Sequence, residues 1–270
     1  VFDSGVGGLT VLHELLVQLP HEDFIYLGDT ARFPYGERSP EELERFSLEI
    51  VEELLRRRAK LIIVACNSAT AAAMPALRRR MMDTTLGVDV LGVVRPEASQ
   101  AVAATRTGRI GLLATPATVA SRAYEEAVAA VDPFVTVHAV PCPTLASIIQ
   151  AGEQFDGRAV ASVREACEPL RRADVDTVIL GCTHYPLIKP MLQRMLGPSV
   201  SLISSGGAIA RQVEHALTTR ELNSRNPDEG DYRFLCTGDE EVFQELGTRF
   251  LQMPLGAVER VELARKGLVA

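Results

Sequence analysis

The chain has little of what would announce a charged partner or a membrane. Its 28 basic residues are outnumbered by 35 acidic ones, for a net charge of −7. That balance advertises no basic face, so neither nucleic acid nor an anionic membrane is an expected partner. No apolar run approaches the roughly 20 residues that span a bilayer, and no charged-then-apolar leader opens the sequence. The expectation is a soluble, cytoplasmic protein. Cysteines number five, an odd count spread widely, which fits a reducing compartment better than a disulfide framework and leaves thiols free for chemistry. Lysines are only three, Lys60, Lys189 and Lys266. None follows a strand in a cleft context, so a pyridoxal phosphate Schiff base has poor support. The glycine-rich "GVGG" is neither G-x-G-x-x-G nor a Walker sequence. Cys182 and His184 lack the second closely spaced ligand pair that a structural zinc needs. No cofactor and no metal are expected.

What is present is a large apolar fraction, 47% of 270 residues, enough for one large domain or two ordinary ones. Short β-rich apolar runs alternate with longer amphipathic segments, the pattern of an α/β protein with mostly parallel sheets. Strands are expected near 24–28, 61–65, 88–94, 109–114, 135–140, 177–181, 200–204 and 232–236, after a first strand ending at Phe2. "SPEELERFSLEIVEELLRRR" reads as a helix, with Ser39 as cap, Pro40 at its first position and arginines at the end that suits the dipole.

The two halves match in order. "VFDSGVGGLTV" corresponds to "IGLLATPATV", "FIYLGD" to "VTVHAV", and the helix at 40–57 to one at 157–172. Cys66 and Cys182 then stand in equivalent places, 116 residues apart. The reading is an internal duplication. Two related α/β domains, 1–92 plus 208–270 and 93–207, would hold the active site in the cleft between them, because parallel sheets bind ligands at the carboxyl ends of their strands. The tail after about 207 is expected to pack back on the first domain.

Each thiol ends a buried run and is followed at once by polar residues, "LIIVACNSAT" and "TVILGCTHYP". A strand-to-helix junction offers free backbone amides, which favour thiolate and bind carboxylates. Either cysteine alone would ordinarily be a small buried hydrophobe; two in duplicated contexts point to chemistry. Cys142, Cys167 and Cys236 lack the context and read as structural. A hydrolase built on Cys182 and His184 would leave Cys66 idle. Paired thiols suit acid and base roles on opposite faces of one carbon. Asp3 and Ser4 close the first strand and would face the cleft, helix capping being the other role open to Asp3. Tyr35 and Gly36 could meet an anion or form a plain turn. Thr115 and Thr118 are hydroxyls at a junction, with capping again the alternative.

With "DSGVGGLTV", "PYG", "ACNSAT" and "GCTHYPL" in this order, nearly the whole chain resembles the aspartate/glutamate racemase superfamily, and "GCTHYPL" resembles its glutamate-specific members. The resemblance implies cofactor-independent interconversion of L- and D-glutamate, supplying D-glutamate to peptidoglycan. It implies that Cys182 removes the α-proton of L-glutamate with help from His184, and Cys66 that of D-glutamate with help from Asp3. Substrate contacts would fall on Asp3, Ser4, Tyr35, Gly36, Asn67, Ser68, Thr115, Thr118, Thr183 and His184, with Asn67 among the groups holding a carboxylate. The chain departs from the family pattern at Gln150, where a glutamate is frequent and Glu153 lies nearby, at Glu97, where glycine is usual, and at Ser68, where threonine is frequent. Oligomeric state is left open, a homodimer being the assembly entertained.

Overall fold

A computed structural model describes residues 1–83, 87–152 and 156–264; Glu153 and Lys266 lie outside them. Ten strands are seen among the described residues: β1 (Phe2–Asp3), β2 (Phe24–Gly28), β3 (Leu61–Val64), β4 (Asp89–Gly92), β5 (Arg109–Ala114), β6 (Thr136–Pro141), β7 (Thr177–Gly181), β8 (Ser201–Ile203), β9 (Tyr232–Cys236) and β10 (Val258–Arg260). They form a six-stranded sheet ordered β10-β9-β2-β1-β3-β4 and a four-stranded sheet ordered β6-β5-β7-β8. Every pairing in both is parallel. The molecule is the expected α/β protein of two parallel-sheet domains.

The order β2-β1-β3-β4 of the first sheet is repeated as β6-β5-β7-β8 in the second. In each, the first and third strands of the unit lie side by side, with the chain winding outward on either hand. That adjacency is the point where connections leave in opposite directions, so the helices following the two strands diverge and open a crevice beyond their carboxyl ends. Asp3 ends β1 and Cys66 lies just beyond β3, while Thr115 and Cys182 follow β5 and β7.

Local chemistry sets the elements as the sequence suggests. The helix Pro40–Arg56 begins with a complete capping box: the Glu42 amide donates to Ser39 Oγ at 3.2 Å, and the Ser39 amide to Glu42 Oε2 at 3.1 Å. Two orphan amides are thereby satisfied, worth about 1 kcal/mol. Leu43, Phe46, Ile50, Val51 and Leu54 line its buried face at the three- and four-residue spacing of an amphipathic helix. They pack with Ile62 and Val64 of β3 and Leu77 of the helix Asn67–Met82. The central strands are buried on both faces; β7 has no exposed residue. Such strands hold their carboxyl ends rigidly, which is what a site placed there requires.

The chain after residue 207 returns to the first sheet, β9 pairing with β2 from Phe24↔Tyr232 to Gly28↔Cys236. The edge strand β10 is unexpected. Only three residues long with two of them exposed, it carries no alternating pattern from which to read it.

Candidate active site

Both thiols line one cleft between the two sheets, together with Ser4, Phe33, Tyr35, Gly36, Asn67, Ser68, Thr115, Thr183 and His184. Its free space is about 20 Å³, scarcely one water. The sequence-expected residues Asp3 and Thr118 sit directly behind that lining, both fully buried. All ten residues expected to contact substrate, and both cysteines, are thus gathered in one place.

The approach of the two halves depends on two glycines. A Cβ on Gly7 would lie 2.3 Å from Thr183 Oγ1 and 2.5 Å from His184 Cε1 and Nδ1, and one on Gly36 would lie 2.7 Å from Thr115 Cβ. Only a bare backbone fits there. The turn after β1 therefore packs directly on the turn that carries Cys182, and Thr10 Oγ1 ties the two by donating to the Thr183 carbonyl at 3.0 Å.

Asp3 accepts from the Gly5 amide at 3.0 Å and from Thr183 Oγ1 at 3.3 Å. Burial pushes its carboxyl up, against these hydrogen bonds and those of the Gly8 and Ser4 amides, which hold it down. Cys66 occupies the position just before the first turn of the helix Asn67–Met82. Burial first and the charge of Asp3 second push its thiol up to about 12, opposed by hydrogen bonds from the Ala69 amide and from Ser4. Cys182 is likewise pushed well up by burial and by Cys66, Asp3 and Cys142, with the His184 amide opposing. This differs from the sequence expectation that helix-terminal amides would favour thiolate. A helix terminus is worth at most ~2 kcal/mol, whereas removing a charge from water costs several, so desolvation wins and both groups rest as thiols.

His184 Nδ1 stands 3.7 Å from Cys182 Sγ, and His184 Nε2 lies 3.0 Å from Gln150 Oε1. The amide oxygen accepts only, so Nε2 carries the proton and Nδ1 presents a lone pair to sulfur. Burial, and then the Arg249 charge, hold the imidazole down to about 3. It is neutral, a proton acceptor toward Cys182. Phe33 and Phe250 pack on the ring at centroid distances of 5.6 and 5.1 Å, and Arg249 Nη2 donates to the Gln150 carbonyl at 2.6 Å.

Ser68, Thr115 and Thr118 form a cross-cleft triangle of hydroxyls, Ser68 Oγ being 2.8 and 3.1 Å from the two threonine oxygens, which are 3.0 Å apart. Thr115 also caps the helix Pro116–Ser121, the alternative role open to it. Tyr35 lies against the cleft, but its hydroxyl donates to Asp29 Oδ2; the same oxygen accepts from Arg32 Nε at 2.6 Å, and Asp29 Oδ1 accepts from Thr237 Oγ1 at 2.7 Å. The phenol is committed to bracing its own loop. The Asn67 Nδ2 donates toward Tyr124 OH at 2.7 Å and Glu97 Oε2 at 3.1 Å, two acceptors that lie side by side, so the amide nitrogen is turned to this buried pair.

Sequence reasoning missed Gly7, Phe33 and Tyr124, which meet the site only through pairings distant in the chain. Glu97 stood out as a departure from the family pattern, with no signal of what it touches.

The Asp/Glu/Hydantoin racemase family model matches residues 9–213. The chain is 42% identical over 263 residues to a glutamate racemase of Listeria innocua, covering 97% of each chain. Among solved structures it resembles a glutamate racemase isoform, RacE1, from Bacillus anthracis, with a TM-score of 0.91, 38% identity and coverage of 97% of this chain and 96% of that one. It also resembles the glutamate racemase of Francisella tularensis in complex with D-glutamate, with a TM-score of 0.88, 31% identity and the same coverage.

Proposed function

Because the chain belongs to the Asp/Glu/hydantoin racemase family and is thus an amino-acid racemase, we propose that it interconverts L- and D-glutamate without a cofactor, using Cys66 and Cys182 as opposed acid and base. In the cell this activity would supply D-glutamate for peptidoglycan. The observation that carries the reading is the placement of the two thiols, each at the end of the third strand of its unit, lining one cleft from opposite sheets. The units themselves we take as 1–92 plus 208–270 and 93–207, a division supported by which strands share a sheet.

From L-glutamate, Cys182 takes the α-proton while Cys66, still a thiol, gives one to the opposite face. The reverse reaction exchanges the roles. Each base must first lose its own proton: Cys182 to the lone pair of His184 Nδ1, and Cys66 toward Asp3. Burial disfavours both thiolates, and an ammonium group brought between them offsets that cost by adding a nearby opposite charge. The hydroxyl triangle supplies donors for a carboxylate. Held dipoles in a water-poor site then stabilise the charge that develops at the α-carbon.

A space of about 20 Å³ cannot admit glutamate, so the two sheets must part for substrate to enter.

The direct test follows D-glutamate formation from L-glutamate by the purified protein with no cofactor added. It should run to equal amounts of the two enantiomers. L-Aspartate, one methylene shorter, should turn over roughly 10- to 200-fold less well. Turnover of aspartate equal to or faster than glutamate would move the assignment to another amino acid.

A further inference from the structure

Glu97, in the first turn of the helix Val94–Ala104, is a fully buried carboxyl group whose hydrogen-bond partners are all neutral. Ser205 Oγ donates to Oε1 at 2.6 Å, while Tyr124 OH and Asn67 Nδ2 both donate to Oε2. Three elements remote in sequence converge on it. Burying such a group costs several kcal/mol, and burial pushes it up to about 8 even with the three donors holding it down. No step of the mechanism above uses it.

The clue to its purpose lies in Asn67, the residue next to Cys66. Asn67 lines the cleft, its Nδ2 donates to the adjacent Glu97 and Tyr124 oxygens, and its Oδ1 is buried without a partner. An unpaired buried carbonyl oxygen costs about 1–3 kcal/mol, a cost removed when a donor enters the cleft. We propose that Glu97 is a positioning residue for substrate recognition: with Tyr124 it locks the Asn67 amide so that Oδ1 faces the cleft as an acceptor for the ammonium group of the amino-acid substrate. This rests on the reading that the substrate binds between the two thiols.

The orientation follows from donor and acceptor counting. A flipped amide would set its oxygen against Glu97 Oε2, an acceptor, and would turn the two donors toward the cleft. A proton on Glu97 changes nothing here, because a carboxyl group protonated at Oε1 toward Ser205 still accepts at Oε2. A leucine at the same place removes the acceptor. The Tyr124 hydroxyl is then free to donate to Asn67 Oδ1, drawing it away from substrate.

The test is a set of four variants, Glu97→Leu, Glu97→Gln, Asn67→Ala and the double variant Glu97→Leu/Asn67→Ala, assayed with L-glutamate after the parent has been shown to racemise it. A parent without that activity refutes the functional reading itself, before any variant is compared. Glu97→Leu should raise KM roughly tenfold, the loss of one hydrogen bond to a charged group, with kcat within about threefold. Glu97→Gln, which keeps an oxygen toward Asn67, should return KM to within about threefold of the parent. Added to Asn67→Ala, the Glu97→Leu change should alter KM less than about twofold, because the two act through one contact. Tenfold loss persisting in the Asn67→Ala background would overturn the proposal, as would a loss falling on kcat alone. If Glu97→Leu does not fold, Tyr124→Phe alone and with Asn67→Ala replaces it, with the same expected coupling and the same overturning result.

Discussion

Cys66→Ser and Cys182→Ser are each expected to lower net racemisation roughly 10²- to 10⁴-fold, the usual value of a positioned acid or base, while leaving the fold intact. The side chains differ by one atom and both sites are buried, with 5% and 7% of the residue exposed, so packing changes little. The chemistry changes a great deal. Desolvation already holds the Cys66 thiol at about 12, and a serine hydroxyl in the same surroundings starts from a far weaker acidity. It therefore supplies essentially no base. Chiral analysis of product from each enantiomer checks the effect, with circular dichroism confirming the fold. Near-parent turnover of both enantiomers by either variant would contradict the assignment of paired thiols.

Gly7→Ala should be nearly as damaging without touching a chemical group. Its Cβ would enter within 2.3 Å of Thr183 Oγ1 and 2.5 Å of two His184 ring atoms, below any separation a real methyl group holds. Something must shift by several tenths of an ångström, and what it meets is the turn that positions Cys182 and its partner base. Displacements approaching 1 Å at a reacting pair cost about 10²-fold in rate. The expected result is a loss of that order in kcat/KM with a melting temperature only modestly lowered. Gly157→Ala is the control, since nothing lies within 4 Å of the added carbon. If Gly7→Ala turned over like the parent, the turn after β1 would not be packed on the Cys182 turn in the working enzyme.

How much of this could be read from the chain follows from the range of the interactions concerned. Cys66 and Cys182 were legible because a buried parallel strand is a short apolar run and its end is marked by the first polar residues. The correspondence of elements between the two halves was legible for the same reason, strand by strand, whereas the lateral order of the strands was not. Ser39 was legible as a cap because a capping box is contained within four residues. By contrast, the Glu97 network joins positions 67, 97, 124 and 205, and no local pattern connects them. The commitment of the Asn67 amide and the Tyr35 hydroxyl is invisible for the same reason: a sequence shows a donor but not whether it is already taken. The thiols illustrate a competition that only burial decides. Helix-terminal amides are readable in advance and pull toward thiolate, while the larger desolvation penalty depends on how completely the two sheets close over the site. The short edge strand β10 lacks both length and alternation.

The central claim is that two thiols act from opposite faces of the α-carbon, and solvent deuterium tests it most directly. L-Glutamate is incubated with the enzyme in heavy water and sampled at low conversion. Cys182 removes protium from one face, and Cys66, already exchanged with solvent, delivers deuterium to the other. Early D-glutamate should therefore be almost fully deuterated at the α-carbon, while recovered L-glutamate largely keeps its protium; starting from D-glutamate should give the mirrored result. A single base swinging between faces would hand the abstracted hydrogen on, so substantial protium at the α-carbon of the early product would contradict the account.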